Sequence, residues 1–171
     1  LGKLAAMRFL EWVAENPTGV ISLPTGKTPE YFIEWVRRIL TQWDDSECRQ
    51  MRERHGLMLK DKPVLSELQF VQIDEFYPIS PKQHNSFYNY VQKYYVEGFG
   101  LDASKGLFIN SDEIVLADGR HYSDVFSDGV IDLGLRYREP KSREEELKQR
   151  SIFMIDDWCA DYEQRIREKG G

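Results

Sequence analysis

The sequence predicts an α/β protein. Three observations carry this. Apolar residues recur at helical spacing in three long stretches, near 3–15, 28–43 and 142–169. Short apolar runs of strand length lie between the helical stretches. A glycine-bearing loop joins the first such run to a well-started helix, giving the order helix, strand, loop, helix.

The elements follow in order. Leu4, Met7, Leu10 and Val13, with Phe9 and Trp12 beside them, predict a helix over 3–15. Asn16-Pro17-Thr18-Gly19 stops it, because proline cannot continue a helix and glycine tolerates the turn. Val20-Ile21-Ser22-Leu23 reads as a short buried strand, followed by the loop Pro24-Thr25-Gly26-Lys27. Thr28 is placed to cap a second helix, Pro29 suits its first position, and Glu30 favours the positive end of its dipole. Phe32, Trp35, Val36, Ile39, Leu40 and Trp43 continue that helix.

Residues 44–66 are polar and charged, with Pro63 near the end, and read as a variable excursion to which no element is assigned. Leu68-Gln69-Phe70-Val71-Gln72-Ile73 predicts a second strand, with Asp74-Glu75 at its C-terminal end. Pro78 and Pro81 make the next segment a loop. Asn85 or Ser86 is the expected cap of a third helix, which Gly98 and Gly100 close. Leu107-Phe108-Ile109 predicts a third strand. Residues 113–140 show weak periodicity. A last helix is expected from Ser142 to about Lys169.

Composition excludes several function classes. The 171 residues are one domain by length, with 41% apolar, 13% aromatic and 30% charged residues. That aromatic content excludes wholesale disorder. Mean hydropathy is −0.56 and no run of about 18 apolar residues occurs, so no membrane-spanning helix is expected. The net charge of −6, with no basic face, argues against nucleic acid as a partner. Cys48 and Cys159 share no CxxC spacing, which speaks against disulfide or zinc scaffolds and for a reducing cytoplasm. His55, His84 and His121 also lack ligand spacing, so no metal is expected.

Two segments point to chemistry. The loop Leu23-Pro24-Thr25-Gly26-Lys27-Thr28-Pro29 lies between a strand and a helix. Ligands of open α/β sheets bind at the carboxyl ends of strands, and a helix N-terminus there suits phosphate. Gly26 would let the backbone approach a ligand, and Thr25, Lys27 and Thr28 supply donors. The plainer reading is a strand–helix turn with a capping threonine. Gly26-Lys27-Thr28 also matches the end of a P-loop, but that motif needs glycine where Ile21 stands. In the second segment, Asp74 sits where a carboxylate would face the same crevice. There it would serve as a general base beside a sugar phosphate. The plainer reading is an acidic pair capping the following loop.

Together the segments carry a resemblance. Leu23–Pro29 resembles the LPTGxTP loop of glucosamine-6-phosphate deaminases, also called isomerases. Gln72-Ile73-Asp74-Glu75-Phe76-Tyr77 is similar to their second-strand MDEY signature. Pro81-Lys82-Gln83-His84-Asn85-Ser86-Phe87-Tyr88 resembles the segment that follows it, and Cys159–Ile166 a helix further on. The likeness covers roughly residues 1–112 and 156–169. It implies an open, mostly parallel Rossmann-like sheet flanked by helices. It also implies a cofactor-free, cytoplasmic enzyme, homo-oligomeric in complete form, that converts an amino-sugar 6-phosphate to a ketose phosphate and releases ammonia. By the same resemblance Asp74 is the base, Thr25, Gly26, Lys27 and Thr28 border the phosphate, and Glu75 and His84 line the site.

The sequence departs from the family pattern in three places. Lys27 stands where the family loop usually has a second glycine. Residues 113–150 match nothing in the family and read as an insertion, with Arg143-Glu144-Glu145-Glu146 as a solvated helix face. The family's GxDGHxAFNxP stretch, which opens the sugar ring, is absent. The chain is therefore expected to be the N-terminal part of a longer protein, inactive alone and either self-associating through an open sheet edge or poorly stable by itself. Two other readings remain. A sugar-phosphate-binding effector module would lack a working Asp base and would be joined to a DNA-binding segment. Asp74 is present and no such segment is visible. The sister 6-phosphogluconolactonases, which are hydrolases, usually carry Arg after their Asp-Glu pair, where this chain has Phe76.

Overall fold

A computed structural model describes residues 1–170. Three short strands form one parallel sheet in the order β1-β2-β3, with β1 at Val20–Leu23, β2 at Gln69–Gln72 and β3 at Gly106–Leu107. Val20 pairs with Gln69 and Leu23 with Gln72, while Phe70 and Val71 pair with Gly106 and Leu107. The third strand thus starts one residue earlier than its apolar run suggests. A Cβ on Gly106 would sit 2.4 Å from the Phe70 ring, so only glycine lets β3 pair there.

Helices flank the sheet. They are α1 (Gly2–Glu15), α2 (Glu30–Thr41) and a continuous stretch after β2. That stretch runs through α4 (Phe87–Val91), a π-helical turn (Gln92–Val96) and α5 (Glu97–Phe99). The core forms where their apolar stripes meet the sheet. Met7, Leu10 and Val13 of α1 and Ile33, Val36 and Ile39 of α2 pack with Leu23, Phe70, Val91 and Tyr95, all nearly inaccessible. Burying such side chains stabilises by about 1.5–3 kcal/mol each, so the periodicity of α1 and α2 is decisive.

Two elements differ from expectation. The 44–66 segment contains a helix, α3 (Ser46–Arg54), capped by the Asp45 carboxylate accepting from Glu47 N at 2.9 Å. Its composition is strongly polar, and only Cys48 and Arg52 of it are buried, so it leaves almost no apolar stripe to detect. Helix α2 begins at Glu30 with Pro29 as its flanking residue, and Thr28 does not cap it.

The chain gathers into two compact units. The first comprises residues 1–76 and 82–109 and holds the sheet. The second comprises residues 77–81 and the chain from Asn110 onward. It contains α6 (Tyr122–Val125), several single 3-10 turns and the long α7 (Arg143–Glu168), which Ser142 caps by accepting from Glu145 N at 3.1 Å. Leu116, Val125, Phe126, Leu135 and Ile152 form its core. Glu145 is not merely solvated. It takes a two-point contact from Arg138 at 2.8 and 3.0 Å and accepts from Lys141 N at 2.6 Å. Glu144 pairs with Lys148 at 3.0 Å. Among the described residues no helix is long and apolar enough to cross a membrane.

Candidate functional site

Parallel pairing fixes where the two candidate segments emerge. Leu23 and Gln72 are register partners at the carboxyl ends of neighbouring strands. Adjacent strands lie about 4.8 Å apart. The Thr25–Thr28 loop therefore leaves the same end of the sheet as Asp74, which follows Gln72 by two residues. Asp74, Lys27, Thr28 and His84 are exposed, and Thr25 and Gly26 are half-buried.

The loop is held from the helix that follows β2. The Tyr95 hydroxyl donates to the Pro24 carbonyl at 2.7 Å, and the Tyr90 hydroxyl donates to the Gly26 carbonyl at 2.9 Å. Five residues separate the two tyrosines, which in a regular α-helix would place them on different faces. The π turn at Gln92–Val96, with its i→i+5 hydrogen bonds and wider turn, brings them nearer to one side, and both hydroxyls reach the loop. Both phenols stay protonated, and so keep donating, well past neutral pH. Burial, then nearby Glu30 and Tyr94, push Tyr90 up to about 12. Burial pushes Tyr95 higher still. Gly26 is needed for its backbone, at φ +82, rather than for clearance, since a Cβ there would meet open space.

Two further side chains fix the Asp74 turn. Gln72 is fully buried. Its Nε2 donates to the Asp74 carbonyl at 2.9 Å, and its Oε1 accepts from Ile109 N at 3.1 Å. Glu75 turns toward the next helix. Its Oε1 accepts from Phe76 N at 2.9 Å and Phe87 N at 3.1 Å. Its Oε2 accepts from Ser86 Oγ at 2.8 Å and Tyr88 N at 2.8 Å. Ser86 itself caps α4, accepting from Asn89 N at 3.3 Å. Glu75 is thus the acceptor for the free N–H groups at that helix start, where its charge also suits the dipole. Phe76 stays 60% exposed, its ring 5.0 Å from that of Phe87.

Sequence reasoning paired the loop with Asp74 but missed Tyr90, Tyr95 and Gln72. Only the unusual five-residue tyrosine spacing hinted at the clamp. A groove of about 540 Å³ adjoins the loop at Pro24 and Thr28 and is walled by Phe9, Trp12, Phe32 and Phe99. It is apolar, and Asp74 is not part of its lining.

The architecture is that of a partial Rossmann-like α/β fold, a parallel sheet flanked by helices with its loops gathered at the strand ends. No family model matches the sequence, and no curated protein matches it. A solved structure that aligns is that of a monomeric glucosamine-6-phosphate deaminase, described as a missing link of the NagB superfamily. The TM-score is 0.50 at 19% identity, over 64% of this chain. The chain spans 38% of that neighbour's length. At that identity the likeness is one of fold.

Proposed function

We propose that this chain carries the phosphate loop and the general base of an enzyme that isomerises an amino-sugar 6-phosphate and releases ammonia. The observation that supports it most is the register of Leu23 with Gln72, which sends the Gly26 loop and Asp74 out of the same sheet end. In this reading Thr25, Lys27 and Thr28 donate to the phosphate, with the loop carbonyls already occupied by Tyr90 and Tyr95. The Asp74 carboxylate takes the proton from C2 of the open-chain sugar and returns it to C1. The C2 amine then becomes an imine, which water hydrolyses to ketone and ammonia. The fold of the neighbouring deaminase is consistent with this chemistry. His84, exposed in the loop before Ser86, stands as a further lining residue.

Asp74→Asn in the full-length protein tests the assignment. An amide cannot accept the C2 proton but preserves shape, so turnover should fall about 100-fold or more with sugar-phosphate binding kept. Near wild-type turnover would remove Asp74 from the role of base. If the unsubstituted full-length protein binds sugar phosphate but never releases ammonia, the chain belongs to a binding module instead.

A further inference from the structure

A second cavity in the first unit shares no lining residue with the Gly26 loop or Asp74. It encloses about 360 Å³ beside α3, within the roughly 300–1,000 Å³ range of small-molecule sites. Arg52 forms part of its wall and is only 4% exposed. The guanidinium lies 3.5 Å above the Trp43 ring centroid, and its Nη2 donates to the Trp43 carbonyl at 2.8 Å. Its Nε is buried and has no hydrogen-bond partner. A buried cation is costly unless something negative meets it.

No ion pair among the described residues does so. Arg49 and Lys60 line the same cavity, and none of the ion pairs among the described residues uses Arg49, Arg52 or Lys60. Asp44 and Glu53 also reach this cavity without pairing, so three cations stand against two carboxylates. That is a local positive excess on a chain of net charge −6. Arginine stacked on an aromatic ring is suited to a phosphate, because its planar donors match the anion and its charge is permanent. The rest of the wall is apolar, with Leu57 buried and Met58 74% exposed.

We propose that this cavity is a second anion site that takes a small phosphate monoester. The phosphate meets Arg52, Arg49 and Lys60, and the organic body lies on Met58 and Leu59, the accessible apolar part of the wall. A dianion answers the local excess of positive charge, and the volume leaves room for more than a bare ion.

An NMR titration of the full chain at constant ionic strength tests this, with glucose 6-phosphate and inorganic phosphate as separate ligands. The reporters are the Trp43 indole and the amides of residues 46–60. Glucose 6-phosphate should shift them saturably, and more tightly than inorganic phosphate. Arg49→Gln with Lys60→Gln, both on exposed side chains, should weaken binding about tenfold, the size of losing charge-assisted hydrogen bonds. Arg52→Gln should abolish it; if that variant fails to fold, the exposed pair decides. Lys27→Gln, in the other candidate phosphate loop, should leave these shifts unchanged, which separates the two sites. Absence of saturable shifts at Trp43, or shifts indifferent to the Arg49/Lys60 pair, would overturn the site. Equal affinity for inorganic phosphate would overturn the monoester.

Discussion

Replacing Glu75 by Gln removes one negative charge and one of two acceptor oxygens, with almost no change in volume. The wild-type carboxylate accepts four hydrogen bonds, three from backbone N–H groups and one from Ser86. Glutamine oriented to keep Phe76 and Phe87 leaves its NH₂ group facing Ser86 Oγ and Tyr88 N. The serine hydroxyl already accepts from Asn89 N, and the Tyr88 N–H meets another donor. Hydrogen bonds to charged groups contribute about 1.5–3 kcal/mol and neutral ones about 0.5–1.5. Two bonds weakened by about 1 kcal/mol each and two lost at about 1.5 kcal/mol each would cost about 5 kcal/mol at full burial; for this half-buried group the cost is about 2–4 kcal/mol, a large share of the roughly 5–15 kcal/mol that holds a domain. The midpoint of thermal unfolding should drop by about 5–15 °C. Trp12, Trp35 and Trp43 report on this unit by fluorescence. Amide exchange should quicken across residues 87–99. A variant as stable as wild type, with unchanged exchange in that helix, would refute the capping role. A stable variant that lost only turnover would make Glu75 a reacting group.

Further predictions concern the loop clamp and the second unit. Tyr95→Phe removes the hydroxyl that holds the Pro24 carbonyl and should cost about 1 kcal/mol. Faster amide exchange at residues 25–28 would show the loop freed, and unchanged exchange would dismiss the clamp. The Tyr90 phenol is raised from 10.0 to about 12, so its contribution is complete below pH 10 and vanishes as pH climbs toward 12. Urea midpoints across that window should fall less steeply for Tyr90→Phe. In the second unit the Arg138 guanidinium, then the Lys141 backbone, hold the Glu145 carboxyl down from 4.5 to about 2. A depressed carboxylate stabilises above its ordinary range and ceases to as pH falls to about 2, so acid should loosen this unit over that interval. Glu145→Gln should flatten the pH dependence followed at Trp158; an unaltered acid profile would assign the effect to other carboxylates.

The amino-acid sequence by itself determined the α/β class, because α1, α2, β1 and β2 each bury a stripe or run whose period is local. Helix α7 was equally legible, since Ser142 and the length of its pattern are signals within a few residues. The pairing of the Gly26 loop with Asp74 was readable as order along the chain, with each segment directly following a strand. Tertiary structure alone decided what supports that pair. Tyr95 reaches Pro24 across 71 positions and Tyr90 reaches Gly26 across 64. Gln72 joins the Asp74 turn to Ile109 across 37. No periodicity encodes such partners, because a hydrogen bond depends on where two backbones finally lie. Helix α3 stayed hidden because its buried face is one cysteine and one arginine. The stretch 113–140 stayed hidden because single 3-10 turns are too short to show a period. Its buried residues, Leu116, Phe126 and Leu135, acquire meaning only when packed with Ile152 of α7.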